Sequence, residues 1–247
     1  MRKKFLLMTF LLAIIGFCGT NLRAEGDLQI TSEEELRNFA SDVNNGENYE
    51  GSVVTLANDI TLTGEWTPIG NGSRSGNTYT NSSFKGTFDG GNYTISGLTI
   101  TTGSSDETKG LFGVVDGGTV KNLKLTNVNI STSSKNVGGA AGLMVNNATI
   151  DKVEVYGTLT APDGVGGIVG RMIIDGTISN CTNNATVTAT TAAGGIVGKA
   201  YYSALNKTMN ITGCTNKGNI TGSYAAGGIA ALSAENISNC PNTDVID

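Results

Sequence analysis

The sequence predicts an all-β protein, a right-handed parallel β-helix (β-solenoid) with a capping helix at its N-terminal end. Three observations predict it. Glycine makes up 35 of 247 residues against 3 prolines, about twice the usual ~7 % and without the proline of a disordered chain. A Gly-x-x-Gly tetrad recurs as "GLFG" at 110–113, "GAAG" at 139–142, "GIVG" at 167–170, "GIVG" at 195–198 and "GIAA" at 228–231, with first glycines 29, 28, 28 and 33 residues apart. After each tetrad, aliphatic and polar residues alternate in steps of two: Leu123 and Leu125, an interruption at Thr126 and Asn127, then Val128 and Ile130. A period of two that breaks and restarts describes short strands joined by corners, and no repeat holds ten residues at helical spacing.

Each repeat therefore reads as about three short strands. A coil of about 28 residues cannot fold by itself. Ordering its backbone costs ~1–2 kcal/mol per residue, while five or six buried aliphatic side chains return only ~1.5–3 kcal/mol each. Stacking supplies the difference by pairing each strand with its counterparts ~4.8 Å above and below. About seven coils fit residues 50–247, a rod of roughly 35 Å at that spacing. Gly110, Gly113, Gly139, Gly142, Gly167, Gly170, Gly195, Gly198 and Gly228 then stand in files, where a Cβ crowds the neighbouring coil or a positive φ turns the corner. A phosphate-binding loop is excluded at "AAGGIVGKA" because Ala193 and Ala200 stand where that motif needs Gly and Ser or Thr.

The ends of the rod come next. Residues 1–24 read as a signal peptide, with Arg2, Lys3 and Lys4 ahead of an apolar run from Phe5 and a small residue at Ala24. A lipid-modified Cys18 is the alternative use of that segment. Residues 25–109 form the N-terminal cap and first coils, and 110–247 the GLxG-repeat β-helix, one continuous domain with them. Within the cap, Ser32 and Glu35 make a capping box, Leu36, Phe39, Ala40 and Val43 share one helical face, and Gly46 stops the helix. No comparable lid follows the last repeat, so another chain can stack at that C-terminal end.

Composition limits the partners. Without residues 1–24 the charge is 12 − 21 = −9, which repels phosphate backbones and argues against nucleic acid. No stretch is apolar enough for a transmembrane segment. Histidine is absent, which removes His-based nucleophile systems and His-ligated metals, so no metal and no cofactor is expected. Cys181, Cys214 and Cys240 occupy the file of Leu123 and Val153 and read as a buried thiol ladder. Asn183, Asn216 and Asn242, two positions on, read as a stacked amide ladder. Trp66 reads as core.

These columns resemble the GLUG-motif repeat family of bacterial surface and secreted proteins, whose Gly-Leu-any-Gly tetrad "GLFG" matches outright. "LANDITLTGEWTPIG" (56–70) and "FKGTFDGGNYTISGLTI" (84–100) look like the segments preceding the first tetrad in such proteins. The later tetrads depart from the pattern at Ala140, Ile168, Ile196, Ile229 and Ala231. The resemblance implies an adhesin-like role, secreted or at the cell surface, and some larger relatives carry peptidase domains beside their repeats.

Candidate ligand-binding residues are Tyr201 and Tyr202, in an interval five residues longer than its neighbours, and Arg74 and Tyr79, in the polar excursion 71–83. Insertions in solenoids emerge as loops on one face, and flat aromatic rings with a polar edge suit sugar or protein surfaces. The reading is a binding or adhesion module that contacts a glycan or a host surface protein and is not an enzyme. Two alternatives stay open. One is a β-helix polysaccharide lyase or hydrolase using Arg171 or Lys199 with Asp163 or Asp175 nearby, although no file holds paired carboxylates. The other is a passive structural spacer.

Overall fold

The computed structural model describes residues 27–75, 78–200, 208–233, 236–243 and 246, with the backbone path alone at 72–75, 78–81 and 233. The signal-peptide segment 1–24 and Tyr201 and Tyr202 lie outside the described residues. The chain winds as a β-solenoid of about seven turns, with parallel sheets and one short helix near the N-terminus.

Equivalent letters superpose as the repeat demands. On the longest sheet, Leu28, Val54, Phe88, Val120, Ile150, Ile178, Ile211 and Ile237 form one file through successive parallel pairings. All from Val54 to Ile211 are buried. A second file runs Ile60, Ile95, Leu125, Val155, Asn183, Asn216 and Asn242. The tetrads lie on a five-stranded sheet built from Phe112–Asp116, Ala141–Val145, Val169–Ile173, Val197–Ala200 and Ala230–Ser233. A four-stranded sheet of Lys135–Gly138, Asp163–Gly166, Ala192–Gly194 and Ala225–Gly227 closes the third side. The expected interruption at Thr126 and Asn127 is a bend within one strand, Thr119–Ser131, whose register shifts between Leu125 and Val128. Asn127 turns that corner at φ 51, a left-handed conformation that Asn tolerates better than most residues.

The tetrad glycines are needed for contact across the coil, and none of the nine has a positive φ. A Cβ on Gly195 would meet the Asn216 side chain on the opposite wall of the coil and the carbonyl of Gly228 in the next one. Gly139 faces Val155 and Gly167 faces Asn183 in the same way. The expected crowding by the neighbouring coil is present, while the expected corner role falls to other residues. One corner file stacks Gly117 (φ 70), Asn146 (φ 56) and Ile174 (φ 67). For a β-branched residue such as Ile174 that conformation is strained.

Helix α1 (Glu33–Asn44) is the lid. Ser32 is its N-cap, accepting the Glu35 amide at 3.2 Å, while the Glu35 carboxylate accepts from the Thr31 amide at 2.7 Å. Leu36, Phe39, Ala40 and Val43 face the solenoid and are buried. Phe39 packs on Tyr49, Phe84 and Phe88, and the last two on Phe112. A polar latch fixes the lid laterally. Glu33 accepts the Thr63 amide at 2.8 Å, and Arg37 donates to the carbonyls of Thr63 and Glu65. Trp66 is core, with its indole N–H donating to the Leu111 carbonyl at 3.1 Å.

Candidate functional site

Among the described residues one chain excursion leaves this scaffold, and register roots it on the tetrad sheet. Ile69 bridges Phe112 and Phe84 bridges Val115, so the intervening segment leaves and re-enters one coil below the strand Phe112–Asp116. It rises as an antiparallel hairpin of Gly72–Ser75 and Thr78–Asn81, which pairs Arg74 with Tyr79 across the ladder. The longer sequence interval, residues 201–207, lies outside the described residues and follows Ala200, the last residue of Val197–Ala200 on the same sheet. Four coil steps separate the two roots by way of the strands ending at Asp116, Val145, Ile173 and Ala200, about 19 Å at ~4.8 Å per step.

Between the roots runs the file Val114, Leu143, Arg171, Lys199. Arg171 and Lys199 are therefore stacked in adjacent coils, as their positions after the tetrads imply. Lys199 is not free to act as a base, because its ammonium is ion-paired with the Asp163 carboxylate and both side chains are largely buried. Val114, Leu143 and Ile173 form a small apolar cluster apart from the main core, flanked by Val145 and Ile174. Beside the root of 201–207, a cleft of about 330 Å³ is lined by Asn147, Asp175, Gly176, Thr177, Thr208 and Asn210. Its wall is held by backbone bonds, the Asn147 amide donating to the Asp175 carbonyl and the Gly176 amide to the Thr208 carbonyl. The Thr208 amide also donates to the Asp175 carboxylate. Ile174, the strained residue, immediately precedes this cleft. Periodicity did not single out Asn147, Thr177 and Asn210, which are ordinary polar letters until stacking brings them together.

The thiols lie in one interior file. Cys181 and Cys214 are buried, whereas Cys240 is only half-buried because no described coil covers it, which corrects the expectation of a ladder buried throughout. Cys181 donates to the Ser179 carbonyl at 3.1 Å, and burial pushes its thiol well above the ordinary range. Cys240 donates to the Ser238 carbonyl at 3.1 Å. The amide file beside them is a hydrogen-bonded ladder: Asn183 Nδ2 donates to Asn216 Oδ1, and Asn216 Nδ2 to Asn242 Oδ1, each at 2.8 Å.

Comparison with known proteins places this architecture. Residues 71–157 match the N-terminal region of M26 IgA1-specific metallo-endopeptidases. Residues 162–188 match the GLUG motif, so the family resemblance read from the tetrads holds. A 1.30 Å crystal structure from Bacteroides ovatus, of a protein proposed to be an immunoglobulin A1 protease, has the same fold. It superposes with a TM-score of 0.56 at 22 % identity, over 86 % of this chain and 74 % of that one. Among curated proteins no sequence matches. The family-model match corrects the expectation that the chain is not an enzyme, because it relates residues 71–157 to the N-terminal region of a peptidase family.

The metal that the word metallo-endopeptidase implies does not fit the residues here. The sequence contains no histidine. Among the described residues, no group of three or more Cys, Asp or Glu is placed to hold an ion. No described helix is long and apolar enough to cross a membrane.

Proposed function

We propose that this chain is the substrate-engaging solenoid of an extracellular peptidase-related protein, and that it grips a host glycoprotein along the tetrad sheet between the hairpin 72–81 and the point where the chain continues past Ala200. One observation carries this reading: register roots both insertions on one sheet, about 19 Å apart, with the polar cleft of Asn147, Asp175, Thr177 and Asn210 beside the second. An extended segment of five or six residues spans such a gap at ~3.3 Å per residue. The match to the N-terminal region of IgA1-specific endopeptidases favours immunoglobulin A1 as the ligand to try first. The carboxamide, carboxylate and hydroxyl groups of the cleft suit sugar hydroxyls.

The test is binding of the purified chain to immobilised immunoglobulin A1, native and deglycosylated. Replacing 72–81 by a two-residue turn, and separately Tyr201→Ala with Tyr202→Ala, is expected to weaken binding tenfold or more in each case. Undiminished binding by either variant refutes the bracketed face as the site. Undiminished binding of the deglycosylated protein refutes the part given to sugar.

A further inference from the structure

We infer that a cleft between the lid helix α1 and the root of the hairpin is a binding site for one uncharged sugar ring. Arg37, Ala40, Ser41, Asn44 and Asn45 of α1 form one wall, and Trp66 and Thr67 the other, around a volume of about 280 Å³. Thr67 stands two residues before Ile69, where the hairpin leaves its coil. Asn44 ties the walls together: its Nδ2 donates to the Pro68 carbonyl at 3.0 Å, and its backbone carbonyl accepts the Ser82 hydroxyl at 2.9 Å. The volume lies just under the ~300–1,000 Å³ of drug-sized pockets, so it suits a single ring and not a length of polymer.

What the lining groups still offer selects the ligand. Among the described residues, Asn44 Oδ1 is buried and has no hydrogen-bond partner. Turning the amide round brings no relief, because the Pro68 carbonyl needs the Nδ2 donor. A buried acceptor left in this state calls for a donor from outside the protein, and a hydroxyl supplies one. At the exposed mouth, the Ser41 hydroxyl oxygen accepts from Asn45 Nδ2 at 3.3 Å and keeps its own proton for a ligand acceptor.

Neither charge is available to an ion. Arg37 donates from Nε to the Glu33 carboxylate at 2.9 Å, from Nη1 to the Glu65 carbonyl at 3.2 Å and from Nη2 to the Thr63 carbonyl at 2.6 Å. Its guanidinium also lies over the Trp66 ring, 5.4 Å from the centroid. Glu33 is matched in turn by Arg37 and by the Thr63 amide. Ala40 and Trp66 are buried and make the floor apolar. A ring with C–H groups on one side and hydroxyls at its rim complements an apolar floor edged by an acceptor and a donor.

Trp66 is the only tryptophan in the chain, so its fluorescence reports on this cleft. The full chain is titrated with glucose, galactose, mannose, N-acetylglucosamine and N-acetylgalactosamine, each as the free sugar and as its methyl glycoside. A saturable change is expected for at least one, with saturation-transfer NMR marking the protons of one ring. A methyl glycoside that binds as well as its free sugar assigns the cleft to the end of a glycan chain, and binding lost with the methyl group assigns it to a free sugar. Ser41→Phe fills the mouth from an exposed position, and Asn44→Ala removes the orphan acceptor. Each should weaken binding about tenfold or more, with thermal unfolding confirming that the variant is folded. Absence of a saturable change with every neutral sugar overturns the proposal. So does tighter binding of glucuronate than of glucose, or binding that survives either substitution undiminished.

Discussion

Replacing Asn216 by alanine should be among the most damaging single changes in the chain, and its size follows from the ladder. The Asn216 side chain is fully buried and makes four hydrogen bonds. Nδ2 donates to the Gly218 carbonyl at 2.9 Å and to Asn242 Oδ1 at 2.8 Å, while Oδ1 accepts from the Gly218 amide at 3.3 Å and from Asn183 Nδ2 at 2.8 Å. Alanine strands the buried Gly218 N–H and C=O together, and an unpartnered buried group costs about 1–3 kcal/mol. Two such groups and a small void amount to roughly 3–5 kcal/mol, near the upper end of single-residue effects. For a chain of this length that is a fall of roughly 6–20 °C in Tm. Urea unfolding followed by far-ultraviolet circular dichroism measures the loss. Repeat proteins can open coil by coil, so hydrogen exchange at the Gly218 amide should accompany it. Asn216→Val isolates the cause, since the same file holds Val155 and Leu125 lower down and the volume is tolerated there. If valine restores wild-type stability, or alanine costs less than about 1 kcal/mol, the amide is only a space-filler and the reasoning fails.

Gly195→Ala should be as severe, because its methyl would press on Asn216 and on the Gly228 carbonyl and neither can yield; overpacking of this kind costs about 1–3 kcal/mol or more, read by the same urea titration. Ile174→Asn should instead stabilise by about 0.5–1 kcal/mol, since the corner file carries Gly117 and Asn146 at the same left-handed geometry; a destabilised Asn variant would mean that packing of Ile174 on the outer apolar cluster outweighs its strain. Acid should loosen the lid first. The Thr63 amide, followed by Arg37, holds the Glu33 carboxyl below its ordinary value, so its contribution is complete above the unfolded pKa and is lost as pH falls through the lower folded one. Hydrogen exchange in α1 should therefore rise below about pH 4, and Glu33→Gln should reduce that pH dependence, the remainder belonging to Glu35, whose carboxyl the Thr31 amide also holds low. Thiol alkylation of the native protein should modify Cys240 well before Cys181, which is buried and has its thiol pKa raised by that burial; equal rates would contradict the stacked interior file.

Much of this fold could be read before any coordinates, because a solenoid writes its tertiary contacts as a sequence period. Once the tetrads were aligned, the pairing of Ile150 with Ile178 and Ile211, the thiol file and the amide file were all questions of counting. Conformation at single residues was less legible. The tetrad glycines and the corner residues look alike as letters, yet the former serve close approach to Asn183 and Asn216 and the latter a left-handed bend, and only the backbone separates them. Kinship with peptidases was hidden for a different reason: the matched segment is the N-terminal region of that family, and nothing in its repeating letters resembles a metal-ligand spacing. The placement of the two excursions lies between these cases. Tyr79 and Tyr201 are 122 residues apart, a separation that suggests no common surface. The chain positions that flank them, Ile69 and Ala200, come to one sheet because each intervening coil restores the chain to its starting azimuth and advances it by a single strand spacing. Insertions in such a fold are thus ordered by where in the period they fall, and two that fall on the same sheet bracket one face however many coils lie between. That is why the hairpin and the later excursion are tested as halves of one site: loss of either should impair the grip on an extended ligand about as much as loss of both.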